Sequence, residues 1–131
     1  MPIQETLVLI KPDAFEKKIW HKIPGIYKRH RLKIVHVKFV LFDRDLIEKH
    51  YQEHRDKPFF NDLINFMTSG PILALRLKGK NAIARVRKIN EEIRKNYASR
   101  DQLSANVVHG SDSPESAGQE IRIFFRDNSS D

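Results

Sequence analysis

Thr6-Leu7-Val8-Leu9-Ile10-Lys11-Pro12-Asp13 is the stretch that settles the architecture. Leu7 to Ile10 is apolar without a break and rich in branched side chains, which predicts a central strand buried on both faces rather than a half-wet one. Lys11 falls at its end, where open mixed sheets present ligand groups; a phosphate or sugar contact and a solvated lysine both fit the residues.

Outward from this strand, Phe15, Ile19, Ile23, Ile26 and Tyr27 recur at helical spacing, and Pro24 places the start of the helix proper near His21 or Lys22. Ile34, Val35, Val37, Phe39, Val40 and Leu41 predict a long second strand with basic residues on its wetter face. Asp43 then caps a short helix carrying Leu46, Ile47 and Tyr51. Pro58 suits the first turn of a further helix running to Met67, with Phe60, Leu63, Ile64 and Met67 on its apolar face. Phe59 falls off that stripe and is either a core-edge aromatic or a platform for a base.

Ser69-Gly70-Pro71 reads as a turn before a third strand, Ile72 to Leu77. Asn81 caps the next helix, whose buried stripe is Ala82, Ile83, Val86 and Ile89, while Arg85, Arg87 and Lys88 line the outside. Asn90 to Ser104 has little periodicity, with Arg94, Tyr97 and Arg100 as its distinctive residues. Glu120-Ile121-Arg122-Ile123-Phe124-Phe125 is expected to be the fourth strand, followed by a polar tail, residues 126–131, expected to fray. This order predicts one α+β domain over residues 1–131: a ferredoxin-like split βαβ sandwich, its four-stranded antiparallel sheet covered on one face by helices.

A chain of 131 residues is long enough for a real core. Lys and Arg number 24 against 17 Asp and Glu, a net charge of +7 that points to anionic partners such as nucleotides, nucleic acid or an acidic surface. With no cysteine, a disulfide framework and a thiolate metal site are excluded. Leu7 to Ile10 is far too short for a membrane span or a signal peptide, so a soluble cytoplasmic protein is expected.

Asn106-Val107-Val108-His109-Gly110-Ser111-Asp112-Ser113 concentrates the chemistry. An imidazole ends a short apolar run, glycine permits a steep turn or close ligand approach, and Ser113-Pro114-Glu115 reads as a helix cap, first position and first turn. His109 therefore precedes a helix N-terminus, which favours anions. Two readings fit: a histidine that takes up phosphate, and a loop histidine before a capped helix. The residues gather Lys11, Tyr51, the arginines and His109 as candidates for one anion site. A module for RNA or single-stranded DNA would suit the charge and fold, but such sheets display aromatics on central strands where this chain has Val, Leu and Ile.

Four motifs, Leu9-Ile10-Lys11-Pro12-Asp13, His50-Tyr51 with Pro58-Phe59-Phe60, Ser69-Gly70-Pro71, and Asn106 to Ser113, resemble the nucleoside diphosphate kinase family in order and across nearly the whole chain. The resemblance implies γ-phosphate transfer from a nucleoside triphosphate to a nucleoside diphosphate through a phosphohistidine, with Mg²⁺ held by the nucleotide phosphates. By resemblance, His109 is the nucleophile, Glu120 holds its second ring nitrogen, and Ser111 stands beside that carboxylate. Lys11 and Asn106 match ribose contacts, with Lys11 also near the transferring phosphate. Tyr51 and Arg87 match phosphate ligands, Phe59 the base platform, and Leu63 and Leu103 apolar positions near the base. The family's long loop after Arg87 is shortened here to Lys88-Ile89-Asn90-Glu91-Glu92-Ile93-Arg94, and its threonine is absent. Arg94 matches the last phosphate-binding arginine, with Arg100 the alternative. The resemblance also implies a dimer-based homo-oligomer, up to a hexamer; a fold-keeping scaffold without catalysis is the alternative that the short loop leaves open.

Overall fold

The computed structural model of the chain describes residues 2–98 and 106–129. Its centre is β1, Ile3–Ile10, hydrogen-bonded to β3, Pro71–Lys80, on one side and to β4, Val108–Gly110, on the other. β2, Lys33–Leu41, completes an antiparallel sheet of order β2-β3-β1-β4. Thr6 to Ile10 is buried throughout, as an uninterrupted apolar run requires of a strand with neighbours on both edges.

Helices cover both faces of this sheet, not one. Val8, Ile10, Leu73, Leu75 and Leu77 pack against α1, Pro12–Glu16, α2, Ile23–Arg29, and α5, Ala82–Tyr97. Leu7, Leu9, Val40, Ile72 and Ala74 pack against α3, Arg44–His50, α4, Phe60–Met67, and α6, Pro114–Ser129. Successive strand residues point to opposite faces, so an all-apolar β1 needs cover on each.

Local chemistry explains most boundaries. A 3₁₀ turn, Trp20–Lys22, leads into α2, with Pro24 in its first turn, where a missing N–H costs nothing. The Asp43 carboxylate accepts from Leu46 N at 3.1 Å and caps α3. α4 starts at Phe60, two residues after Pro58. Asn81 occupies the N-cap position of α5 but lies in the left-handed region at φ 50° and makes no side-chain cap. The Gln4 side chain does that work, accepting from Ile83 N at 3.1 Å. α5 runs on into the stretch that lacked periodicity, as far as Tyr97, because Asn90 continues the inward stripe of Val86, Ile89 and Ile93.

The expected fourth strand, Glu120 to Phe125, is instead part of α6. Its β-branched and aromatic residues favour a strand locally, but Ala117, Ile121, Phe124 and Phe125 recur at i, i+4, i+7 and i+8 and are buried as one helical stripe. Ser113 starts the helix by accepting from Ser116 N at 3.0 Å. The true fourth strand is the three-residue β4 that carries His109. Among the described residues no helix is long and apolar enough to cross a membrane.

Candidate active site around His109

β4 pairs antiparallel with the end of β1, setting His109 opposite Leu9 and Val108 opposite Ile10. Just before it, Val107 is wholly buried at φ 62°, a conformation that costs a β-branched residue on the order of 1–3 kcal/mol. Two hydrogen bonds hold it there. Its N–H donates to Asp13 Oδ2 at 3.0 Å, and its carbonyl accepts from Lys11 N at 2.9 Å. The Lys11-Pro12-Asp13 turn therefore fixes the direction in which the chain enters β4.

His109 Nε2 lies 3.0 Å from Glu120 Oε1, with the two side chains 23% and 16% exposed. Glu120 is on α6 and reaches the sheet because the helix starts only four residues after Gly110. The same oxygen accepts from Ser111 Oγ at 2.7 Å, and the buried Ser111 in turn accepts from Leu7 N at 3.2 Å. A backbone amide of the central strand thus anchors the serine, the serine anchors the carboxylate, and the carboxylate stands as an acceptor for an N–H on Nε2. That arrangement leaves the lone pair of a neutral imidazole on Nδ1.

Lys11 extends from the end of β1 and donates to Asn106 Oδ1 at 2.6 Å. Burial and the Arg94 guanidinium lower its pKa from 10.5 to about 8, while Asp13 opposes the shift. Arg94, one turn beyond Asn90 on α5, donates to the Val108 carbonyl at 2.8 Å from beneath β4. Burial also lowers its pKa, and Arg87 adds to the effect. Arg87 itself is exposed on α5, and its charge helps hold the Asp112 carboxyl below its usual value, behind the hydrogen bond from Ser116. The cationic side of the site is thus built from Lys11, Arg94 and Arg87, on two elements.

Tyr51 enters through His50. The His50 ring stands edge-on to Tyr51 at 4.4 Å, to His109 at 5.0 Å and to Phe124 at 5.3 Å between centroids. Burial holds the Tyr51 hydroxyl above its ordinary pKa, with the Glu120 charge adding to it. Burial likewise lowers His50 well below the usual histidine value, so it is neutral near pH 7. His50 is the neighbour of His109 that sequence reasoning did not single out, although its place beside Tyr51 in the second motif is the signal that could have found it. Phe59 is 48% exposed and lies 5.6 Å from the His54 ring. Leu63 is partly buried and packs against the core on the α6 face. Leu103 and Arg100 lie outside the described residues.

Beneath β4, the Tyr27 hydroxyl donates to Asn90 Oδ1 at 2.5 Å. A Cβ on Gly110 would come within 2.7 Å of Asn90 Nδ2 and 3.3 Å of Val86 Cγ1, so the glycine lets the sheet and α5 touch directly behind the histidine.

A sequence model described as nucleoside diphosphate kinase matches residues 4–130. A nucleoside diphosphate kinase of Listeria monocytogenes serotype 4b is 44% identical over 133 residues, covering 94% of this chain and 89% of that one. The solved Aquifex aeolicus nucleoside diphosphate kinase superposes with a TM-score of 0.87 at 36% identity, covering 95% of this chain and 96% of its own. A halophilic nucleoside diphosphate kinase from Halobacterium salinarum, solved in complex with CDP, gives a TM-score of 0.83 at 32% identity over 97% of this chain and 90% of its own. By that span, those identities and that shared fold, the chain belongs to the nucleoside diphosphate kinase family, and its activity is that of a nucleoside diphosphate kinase.

Proposed function

We propose that the chain transfers the γ-phosphoryl group of a nucleoside triphosphate to a nucleoside diphosphate in two half-reactions through phosphorylated His109. The observation that carries this is the 3.0 Å contact of Nε2 with Glu120 Oε1, which favours the tautomer whose lone pair is on Nδ1 and so supports Nδ1 as the nucleophile. In the first half-reaction Nδ1 forms a bond to the γ-phosphorus, the bond from that phosphorus to the β-phosphate oxygen breaks, and the nucleoside diphosphate leaves. The second half-reaction reverses these steps with a different acceptor. The positive charge that develops on the ring is met by Glu120, itself steadied by Ser111.

Lys11 neutralises charge on the transferring phosphate and, with Asn106, holds the ribose hydroxyls. Tyr51, Arg87 and Arg94 are the remaining phosphate ligands. Phe59 stacks on the base, and Leu63 and Leu103 give it an apolar flank; a stacking surface reads no base edge, so several bases are accepted. The nucleoside diphosphate in the Halobacterium relative supports this class of ligand. Mg²⁺, carried in on the nucleotide rather than held by this chain's side chains, would offset the phosphate charge beside Lys11, Arg87 and Arg94. The donor set fits that arrangement, because the phosphate side offers cations and a hydroxyl, and Mg²⁺ prefers oxygen ligands and retained waters.

The same reading places the chain in the cytoplasm as a single domain that associates with copies of itself. β2 supports self-association, since it is an edge strand with Val37, Phe39 and Leu41 each more than half exposed.

Incubation with γ-labelled ATP and Mg²⁺ tests the proposal. The native chain should take up label that is lost in acid and is chased by added nucleoside diphosphate, while His109→Ala takes up none. A folded native chain that binds nucleotide but stays unlabelled would overturn it in favour of a silent scaffold.

A further inference from the structure

Among the described residues, one set of side chains has the spacing of a metal site: His50, His109 and Glu120 each bring one ligand atom, all within 4.8 Å of one another. Tetrahedral zinc with bonds of about 2.0–2.2 Å places its ligand atoms roughly 3.3 Å apart, and the 3.0 Å contact from His109 Nε2 to Glu120 Oε1 is one such edge. An independent feature points the same way. His50 Nδ1 is buried without a hydrogen-bond partner, although the ring packs against His109. A buried, unpartnered imidazole nitrogen is costly and persists where something else uses the ring.

We propose that His50, His109 and Glu120 form an inhibitory site for a borderline-soft divalent cation of the zinc type, distinct from the Mg²⁺ that travels with the nucleotide. Two imidazoles and one carboxylate, with a fourth position open to water, are an ordinary donor set for zinc and a poor one for magnesium. The cation takes the place of the proton now shared between His109 Nε2 and Glu120. With the metal on Nε2, the ring proton moves to Nδ1 and the lone pair needed for attack on phosphorus is gone. Metal-bound and phosphoryl-accepting His109 are thus two tautomeric forms of one ring and exclude each other. The metal site does not depend on His109 being the nucleophile; its inhibitory effect does.

The test measures binding and phosphorylation separately on the full chain. Zinc affinity and stoichiometry are read by competition with a chromogenic chelator, and Co²⁺ as a stand-in reports tetrahedral nitrogen–oxygen coordination by its visible absorption. We expect one zinc per chain, a tetrahedral cobalt spectrum, and loss of label uptake in excess Mg²⁺ that a zinc-selective chelator restores. His50→Phe should weaken zinc binding at least on the order of 10-fold, the lower end of what losing mere outer-shell partners costs a metal site. Should that variant not fold, His50→Asn serves instead, each variant being compared with its own zinc-free rate. Zinc affinity unchanged by loss of the His50 ring, or undiminished label uptake by the zinc-loaded native chain, would overturn the proposal. A zinc-free native chain that takes up no label refutes the phosphohistidine reading instead, and leaves stoichiometry and cobalt spectrum to decide the metal site.

Discussion

Replacing Lys11 with methionine keeps the aliphatic stem, removes the charge, and separates what the lysine costs the fold from what it does in the site. Lys11 is 6% exposed, and burial together with the neighbouring Arg94 charge lowers its pKa from 10.5 to about 8. Over that interval, at about 1.36 kcal/mol per pH unit, holding the charged ammonium costs the fold about 3 kcal/mol. Below pH about 8 the proton is bound in both the folded and the unfolded chain, so the cost is present in full. Between about 8 and 10.5 the unfolded chain keeps a proton that the folded chain has released, and stability climbs with pH until the cost is gone. Methionine also removes the donor to Asn106, an offset of about 1 kcal/mol. Lys11→Met should therefore be about 2 kcal/mol more stable than the native chain near pH 7, and no more stable above the unfolded-state pKa. Urea unfolding at a fixed protein concentration, run at both ends of that range, reads this directly. Phosphoryl uptake by the variant should fall at every pH. A variant no more stable than the native chain near pH 7 would show that the lysine is not held against its burial, and the argument would fail.

Glu120→Gln should slow phosphorylation of His109 by about 10- to 100-fold in single-turnover labelling, because a hydrogen bond to a charged group contributes about 1.5–3 kcal/mol; an unchanged rate would mean that the carboxylate does not orient the ring. Phe59→Ala should raise KM for all nucleotides by about 5- to 150-fold, with kcat less affected, since stacking on a base is worth about 1–3 kcal/mol; an effect confined to one base would contradict a surface that reads only π-faces. Gly110→Ala drives a Cβ to 2.7 Å from Asn90 Nδ2, and overpacking of this kind costs about 1–3 kcal/mol in thermal or urea unfolding. A neutral Gly110→Ala would mean that α5 does not press on β4.

Much of this molecule was legible in its sequence, for identifiable reasons. The Leu7 to Ile10 run reads as a doubly buried strand because it is short, rich in branched residues and closed by Pro12, and the Ser113-Pro114 start of α6 is written in its capping chemistry. The Glu120 to Phe125 segment misled because side-chain shape favours a strand, while the deciding stripe begins earlier, at Ala117. β4 was hard to see because three residues are too few to show a period, and its pairing is set by β1, about a hundred residues away. Of the site, His109, Ser111 and Glu120 converge as the motif implied, and Lys11 meets Asn106. His50 had a signal in its place beside Tyr51, but its packing against the His109 ring between α3 and β4 is a tertiary fact that spacing along the chain does not encode.

The pairing of the first strand with the last also sets when function can appear. Leu7 N reaches Ser111 Oγ across a separation of 104 residues, so the cluster of His109, Ser111 and Glu120 is assembled by closing nearly the whole chain into one loop. During synthesis, β1 and β3 can zip together long before residues 108–125 have left the ribosome, with one edge of β1 bare in the meantime. Docking β4 seals that bare edge, and with α6 it brings Glu120 and Ser111 to His109 in the same late step.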